Sequence, residues 1–330
     1  MSTPSAASHT GSYLSDPRVR FIEWLPWVLA LACYFAAPTY LPLGSYILIM
    51  ILFALSLDLI LGYAGIITLG HAAYFGFGAY VSAILAVRVT ADPLIGIAVA
   101  GFAAGLLGWL TGLVILRTRG LTLLMLTLAI TSICYEIANK AGAWTGGADG
   151  LGGFAMKPIL GLFKFDLFGK TGYLYCLVFL FLGWWLVRRI IYSPFGASLT
   201  GMRDNVLRMH AVGSPVYQRL VVVYSISAAL AGIAGALLVH TTEFVGLKVL
   251  SFDLSGELLV MLILGGVGRI YGAFVGPLVY LIAQDSLAKQ FPEYWYFGIG
   301  LMLVLVVMFA RGGILGILDK LLARIRHGKP

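Results

Sequence analysis

Apolar runs of helical length follow one another along this chain, with short polar interruptions between them. Crossing the hydrocarbon core of a bilayer takes about 20 apolar residues, fewer where a helix is broken. On that measure the pattern predicts ten segments, at 24–42, 46–62, 66–87, 94–116, 121–139, 173–191, 218–240, 255–267, 271–289 and 295–311. Some are short or interrupted by glycine. The clearest polar break runs from Arg188 to Arg219, where Arg188, Arg189, Arg203, Arg208 and Arg219 face the single acid Asp204. Ser193-Pro194-Phe195-Gly196 reads as a capped turn that opens a helix, because serine can cap and proline presets φ. Leu199, Met202, Val206 and Met209 then recur at helical spacing, and Gly213-Ser214-Pro215 ends the run. The expectation is one amphipathic helix over 196–212, held inside a 192–217 loop.

Composition fixes the class. Sixty per cent of the 330 residues are hydrophobic and 11% are charged, with a mean hydropathy of +0.96. Soluble domains carry about 25% charged residues, so the chain reads as an all-α polytopic membrane protein. The net charge of +8 does not call for nucleic acid, since the basic residues cluster between or beyond the apolar runs, as positive-inside sorting requires. With the N-terminus inside, Arg117-Thr118-Arg119, the 192–217 loop and the tail from Arg311 all fall inside, while 140–172 falls outside. That agreement favours an even number of crossings and both termini in the cytoplasm. Residues 1–20 are rich in Ser, Thr and Ala and carry no early apolar core, so they read as a disordered cytoplasmic tail rather than a cleaved signal. Residues 21–317 form the transmembrane domain and 318–330 a basic cytoplasmic tail. Cys33, Cys134 and Cys176 lie in apolar segments and read as packed thiols rather than a disulfide or a metal site.

Two stretches echo each other. Leu61-Gly62-Tyr63-Ala64-Gly65 joins the second and third segments, and Leu264-Gly265-Gly266-Val267-Gly268 joins the eighth and ninth. The segment after each pair ends in Arg-Gly, at Arg119-Gly120 and Arg311-Gly312. Both copies run in the same direction, as in the parallel repeats of many transporters.

The richest chemistry lies in 58–80. Gly62, Gly65, Gly70, Gly76 and Gly78 are many for a packed helix, since each costs roughly 1 kcal/mol against alanine. Unwound backbone at membrane depth is tolerated only against protein or a water-filled path. Thr68, His71 and Phe75 share one helical face and would line such a path. The competing reading is close helix packing, which Gly268, Gly272 and Gly276 suit by their four-residue spacing. His71 has no Cys, His or acid at ligand spacing, so no metal site is expected. Asp58 is the clearest ionisable group within a span; it either meets cargo or fixes the glycine break by hydrogen bonds. The chain has few intramembrane acids, so ion-driven carriage is disfavoured and the energy is expected from outside the membrane portion. Outside, Gly146, Gly147, Asp149 and Gly150 form a glycine-rich loop that serves as a partner contact, a gate or a linker. Lys164–Thr171 resembles the end of a phosphate loop but lacks its first glycine, so ATP binding by this chain is rejected.

Four pieces in order, 61–80, 145–153, 193–213 and 264–277, resemble the permease subunits of branched-chain amino acid ABC importers, specifically the M-like member of the LIV pair. The resemblance covers about 45–317. It implies a non-enzymatic permease in the bacterial inner membrane that forms half of a path for a small solute. It also implies a second homologous permease, two cytoplasmic ATP-binding subunits holding ATP-Mg, and a solute-binding protein. No cofactor is implied on this chain. The same resemblance makes Arg203, Asp204, Asn205 and Gly213 the core of the helix that couples to the ATPase. The residue pattern itself, rather than the resemblance, is what places Asp58, Gly62, Gly65, Thr68, His71, Phe75, Gly265, Gly266 and Gly268 along the expected path. Ala197 and Val206 depart from the family's charged pattern, and Ile66-Ile67-Thr68 from its Gln and Ser. The alternatives are the same machine carrying urea, short amides or aromatic acids, a passive channel, and an intramembrane enzyme. The last would need paired carboxylates or a histidine cluster.

Overall fold

The computed structural model describes residues 24–36, 38–158, 169–309 and 312–317. A helix stands at each of the ten apolar segments. They are α1 (Leu25–Ala36), α2 (Leu41–Asp58), α3 (Ala72–Arg88), α4 (Pro93–Ile115), α5 (Leu121–Lys140), α7 (Lys170–Ile191), α10 (Val216–Thr242), α11 (Phe252–Gly265), α12 (Gly272–Gln290) and α13 (Trp295–Phe309). The short α6 (Gly142–Thr145), α8 (Pro194–Asp204) and α9 (Val206–Ala211) lie in the polar loops. Among the described residues there is no strand, only an isolated bridge between Leu151 and Val245. Five helical stretches are long and apolar enough to cross a membrane: Pro38–Tyr63, Pro93–Ile115, Leu121–Lys140, Lys170–Ile191 and Val216–Thr242. Both predicted tails, 1–20 and 318–330, lie outside the described residues, as does the phosphate-loop-like run up to Phe168.

Two helices form the centre. α2 is apolar all round and is buried nearly along its whole length, from Leu41 through Asp58. α10, at 27 residues, reaches about 40 Å at 1.5 Å per residue, and packs between α3 and α4. Small residues let it do so. A Cβ added at Gly108 would run into the Ala228 side chain, one at Gly232 into Ala104, and one at Gly78 into the Gly232 backbone. This is the close packing that small residues allow in membranes, where apolar area alone gives no preference for protein over lipid. α4 turns Ile95, Val99, Phe102, Leu106 and Trp109 outward on its opposite face. Polar atoms at this depth find partners within the bundle. The Ser227 hydroxyl donates to the Ser56 carbonyl at 2.5 Å, and Tyr74 Oη reaches Tyr224 Oη at 3.0 Å and Thr111 Oγ1 at 2.7 Å.

Two expectations change. The third segment is helical only from Ala72, and 64–71 is irregular. Gly65 takes φ +72°, and Thr68 Oγ1 accepts from Gly70 N–H at 3.1 Å, so local side-chain bonding replaces the helix ladder there. The amphipathic helix expected over 196–212 is two helices. Asn205 lies extended between them (φ −158°, ψ 100°) and caps the second, its Oδ1 accepting from Arg208 N–H at 2.9 Å.

Candidate functional site

The residues singled out by sequence fall into three places. The first is a joint where three stretches distant in sequence meet. α2 ends at Asp58, and Leu59–Tyr63 widen into a π-turn, a feature that recurs at functional positions. On the other side, α11 and α12 are linked through Gly266 (φ +115°) and Gly268 (φ +76°). The two breaks touch. Gly268 N–H donates to Asp58 Oδ1 at 2.7 Å, and a Cβ on Gly62 would lie 2.6 Å from Gly268 Cα and N. From the polar loop, Arg203 at the end of α8 donates from Nη1 to the Gly62 carbonyl at 2.5 Å. Its Nε and Nη2 each reach Asp204 Oδ1 at 3.4 Å. Gly65 packs on the same arginine, with its Cβ position 2.8 Å from Arg203 Cγ. Gly265 packs on α12, where a Cβ would meet the Gly272 carbonyl.

The geometry shows what Asp58 and the glycines touch. Asp58 is 1% exposed and ties one break to the other. Gly62 is small because the Asp58 carboxylate and the Gly268 backbone both pass against it. Gly272 and Gly276 behave as their spacing suggested: their Cβ positions would strike the Gly266 and Met261 carbonyls. Gly268 belongs to the turn.

The second place lies behind the joint. Thr68, His71 and Phe75 are each 1% exposed and do not share a helical face, since Thr68 precedes the helix. His71 Nε2 meets Ser56 Oγ at 2.8 Å, its ring stacks on Phe53 at 5.5 Å, and Phe75 packs on the same phenyl at 4.4 Å. In the single chain they are core.

The third place is the opposite end. Gly146 (φ +76°), Gly147 (φ +59°) and Gly150 (φ +75°) shape a tight loop around Asp149. It is pinned by the Leu151–Val245 bridge, with N–H···O distances of 2.8 and 2.9 Å, and by Glu243 accepting from Met156 N–H at 2.9 Å. It is a built structure rather than a loose linker. Gly213 (φ +81°) closes α9 with open space around it.

Sequence reasoning missed a cavity of about 700 Å³ beside the joint. The irregular backbone of 64–67 forms one wall, and Arg117, Arg119, Arg203 and His210 reach it from two loops. No acid lines it among the described residues. The arginine excess was visible; its convergence was not. The apolar face of the loop also turns inward. Leu199 and Met202 are 0% and 1% exposed, and Val206 and Met209 pack against the same core.

Apolar helices with broken ends and a polar loop pinned onto those breaks define a multi-pass membrane protein. The sequence comparisons then give the family. Residues 41–307 match the family described as "Branched-chain amino acid transport system / permease component", and the chain belongs to it. It is 24% identical over 294 residues to the high-affinity branched-chain amino acid transport system permease protein LivM of Escherichia coli K12, covering 83% of this chain and 69% of that one. The LivM protein of Salmonella typhimurium LT2 gives the same values. A probable branched-chain amino acid transport permease protein LivM of Methanocaldococcus jannaschii is 24% identical over 313 residues, covering 79% of this chain and 89% of that one. No solved structure matches the chain.

Proposed function

We propose that this permease is one of two membrane subunits of an ATP-driven importer for a small solute, with branched-chain or related amino acids as its cargo. The observation that carries the coupling half of this reading is the joint, where Arg203 of the polar loop holds Gly62 while Asp58 holds Gly268. A loop gripped in this way moves both helix breaks when it is pushed. A purely solvated connector has no reason to be hydrogen-bonded to buried backbone. ATP-Mg and its hydrolysis belong to two cytoplasmic partner subunits that press on α8 and α9. A second, homologous permease completes the path, and a solute-binding protein delivers cargo on the face of the 140–157 loop.

The chain crosses the inner membrane ten times with both termini in the cytoplasm, and the two glycine joints are copies in a parallel repeat. Support comes from how the loops segregate. The 62–67, 116–124, 203–210 and 266–268 stretches gather at one end. The 88–92, 141–157 and 243–246 stretches gather at the other, joined by Arg88 donating to the Ala143 carbonyl and Lys157 N–H to the Ala91 carbonyl. Positive-inside sorting assigns the first group to the cytoplasm. Within this reading Asp58, Gly62, Gly65, Gly265, Gly266 and Gly268 are the moving joint, braced by Thr68, His71 and Phe75. Arg203, Asp204, Asn205 and Gly213 set the loop's shape, and Gly146, Gly147, Asp149 and Gly150 shape the outer contact. The test is affinity purification of the tagged chain from its native membrane. Recovery with a second permease and two ATP-binding subunits is expected; the chain recovered alone or as a simple homo-oligomer would refute the assembly.

A further inference from the structure

At the edge of the bundle, α1 has no buried residue. It leans on α7, where Tyr173 Oη donates to the Ala30 carbonyl at 2.9 Å. The Trp27 ring meets Phe181 and Trp184 of the same helix at 5.1 and 5.4 Å, and touches α12 at Phe274, 5.7 Å away. Between α1 and α12 lies a groove of about 700 Å³, floored by Ile47, Leu48 and Ile51 of α2. Its walls are apolar and open: Leu29 of α1 is 60% exposed, and Leu278 and Ile282 of α12 are 39% and 48% exposed. The lining runs along α12 from Tyr271 to Gln290, about 28 Å at 1.5 Å per residue. That is close to the ~30 Å of a bilayer's hydrocarbon core. Spread over this length, the volume gives a mean section of about 25 Å². A helix is about 10–12 Å across with its side chains, roughly three times that section or more. The groove therefore admits a polymethylene chain and excludes another helix.

The groove turns polar at the end away from the joint, where Tyr40, Asp285, Ser286, Lys289 and Gln290 gather. Lys289 Nζ lies 2.6 Å from Asp285 Oδ2 and 5.0 Å from the centre of the Tyr40 ring. A cation and a carboxylate are thus held side by side where α2 begins and α12 ends, at the level of the lipid headgroups.

We propose that this groove binds one phospholipid of the phosphatidylethanolamine class, with an acyl chain between α1 and α12, its phosphate on Lys289 and its ammonium on Asp285. The inference goes beyond the importer reading and does not depend on the cargo. A zwitterionic headgroup matches both charges, whereas an anionic phosphatidylglycerol satisfies Lys289 and sets its charge against Asp285. The acyl chain supplies the packing that α1 lacks. It also lies against the helix that leads out of the joint, since α12 begins at Gly272, just past Gly268.

The test offers the complex, purified in mild detergent, equal amounts of phosphatidylethanolamine and phosphatidylglycerol with identical acyl chains. Native mass spectrometry reads the last lipid retained as collision energy rises. Wild type should keep one phosphatidylethanolamine, preferred about fivefold, as one half-exposed ion pair allows. Asp285→Asn should abolish the preference, and Leu278→Trp, which lays an indole across the groove, should release the lipid. A benzophenone side chain at Ile282 should photo-cross-link to phospholipid. Equal retention of the two lipids by wild type, an unchanged preference in Asp285→Asn, full retention in Leu278→Trp, or a cross-link from 282 to a second protein chain would each overturn the proposal. The wild-type competition decides the matter even where a variant fails to fold.

Discussion

The close approach of Gly62 to Gly268 sets the most specific prediction. In Gly62→Ala the new Cβ would run into Asp58 Oδ1 and stand 2.6 Å from both Cα and N of Gly268, against about 3.5–4.0 Å for ordinary carbon contact. The two breaks must separate by about 1 Å to admit it. The hydrogen bond from Gly268 N–H to Asp58 Oδ1, now 2.7 Å, would then stretch past about 3.5 Å and be lost. Overpacking of this kind costs about 1–3 kcal/mol, and leaving the buried Gly268 N–H without its partner costs about 1–3 kcal/mol. The backbone yields along whichever route is cheaper, so the two do not add fully. The expected destabilisation is about 2–4 kcal/mol. Gly256→Ala is the control. Gly256 lies within α11, and nothing stands within 4 Å of its Cβ position, so the same substitution should stabilise the helix by about 0.5–1 kcal/mol. The assay is thermal unfolding of the purified complex, with initial uptake rates measured in parallel. Gly62→Ala should melt lower and transport slowly, and Gly256→Ala should melt at or above wild type. Equal melting of the two variants would refute the packing argument and return Gly62 to an open path.

Other consequences are independent. Asp58→Asn keeps an oxygen that can accept from Gly268 N–H, whereas Asp58→Ala leaves that donor buried without a partner, at about 1–3 kcal/mol; melting should rank wild type, Asn, then Ala, and an Ala variant as stable as Asn would remove Asp58 from the joint. Asn205→Ala removes the cap of α9, worth about 1 kcal/mol, and should speed hydrogen exchange at the Arg208 amide while leaving α8 unchanged; an unaltered Arg208 rate would contradict it. With an impermeant thiol reagent on intact cells, Lys157→Cys should label and Ser214→Cys should not, and the opposite pattern would invert the topology.

What could be read from the chain depended on the range of the interaction. The apolar segments were legible because their signal is local and repeated, and helices stand at all ten. Caps were legible for the same reason: Ser193 accepts from Gly196 N–H at 3.3 Å, as its place before Pro194 predicts. The break at Asn205 was not, because asparagine inside an amphipathic repeat fits a continuous helix and a cap equally well. The glycines of 58–80 showed that something unusual happens there. Which reading applied depended on Gly268, more than two hundred residues away, whose backbone fills the space at Gly62. Arg203 read as a cytoplasmic charge facing a partner, and nothing local reveals that it turns back onto the Gly62 carbonyl.

In the importer reading this subunit forms half of a path energised from outside the membrane. That reading is tested most directly by uptake of radiolabelled leucine, isoleucine and valine into proteoliposomes. These contain the chain with its cognate permease and ATP-binding subunits, with the solute-binding protein on the cargo side and ATP-Mg on the opposite side. Uptake of at least one amino acid should require ATP, the solute-binding protein and this chain together, and should concentrate the solute above its external level. Equilibration without ATP, or full uptake from vesicles that lack this chain, would contradict the account.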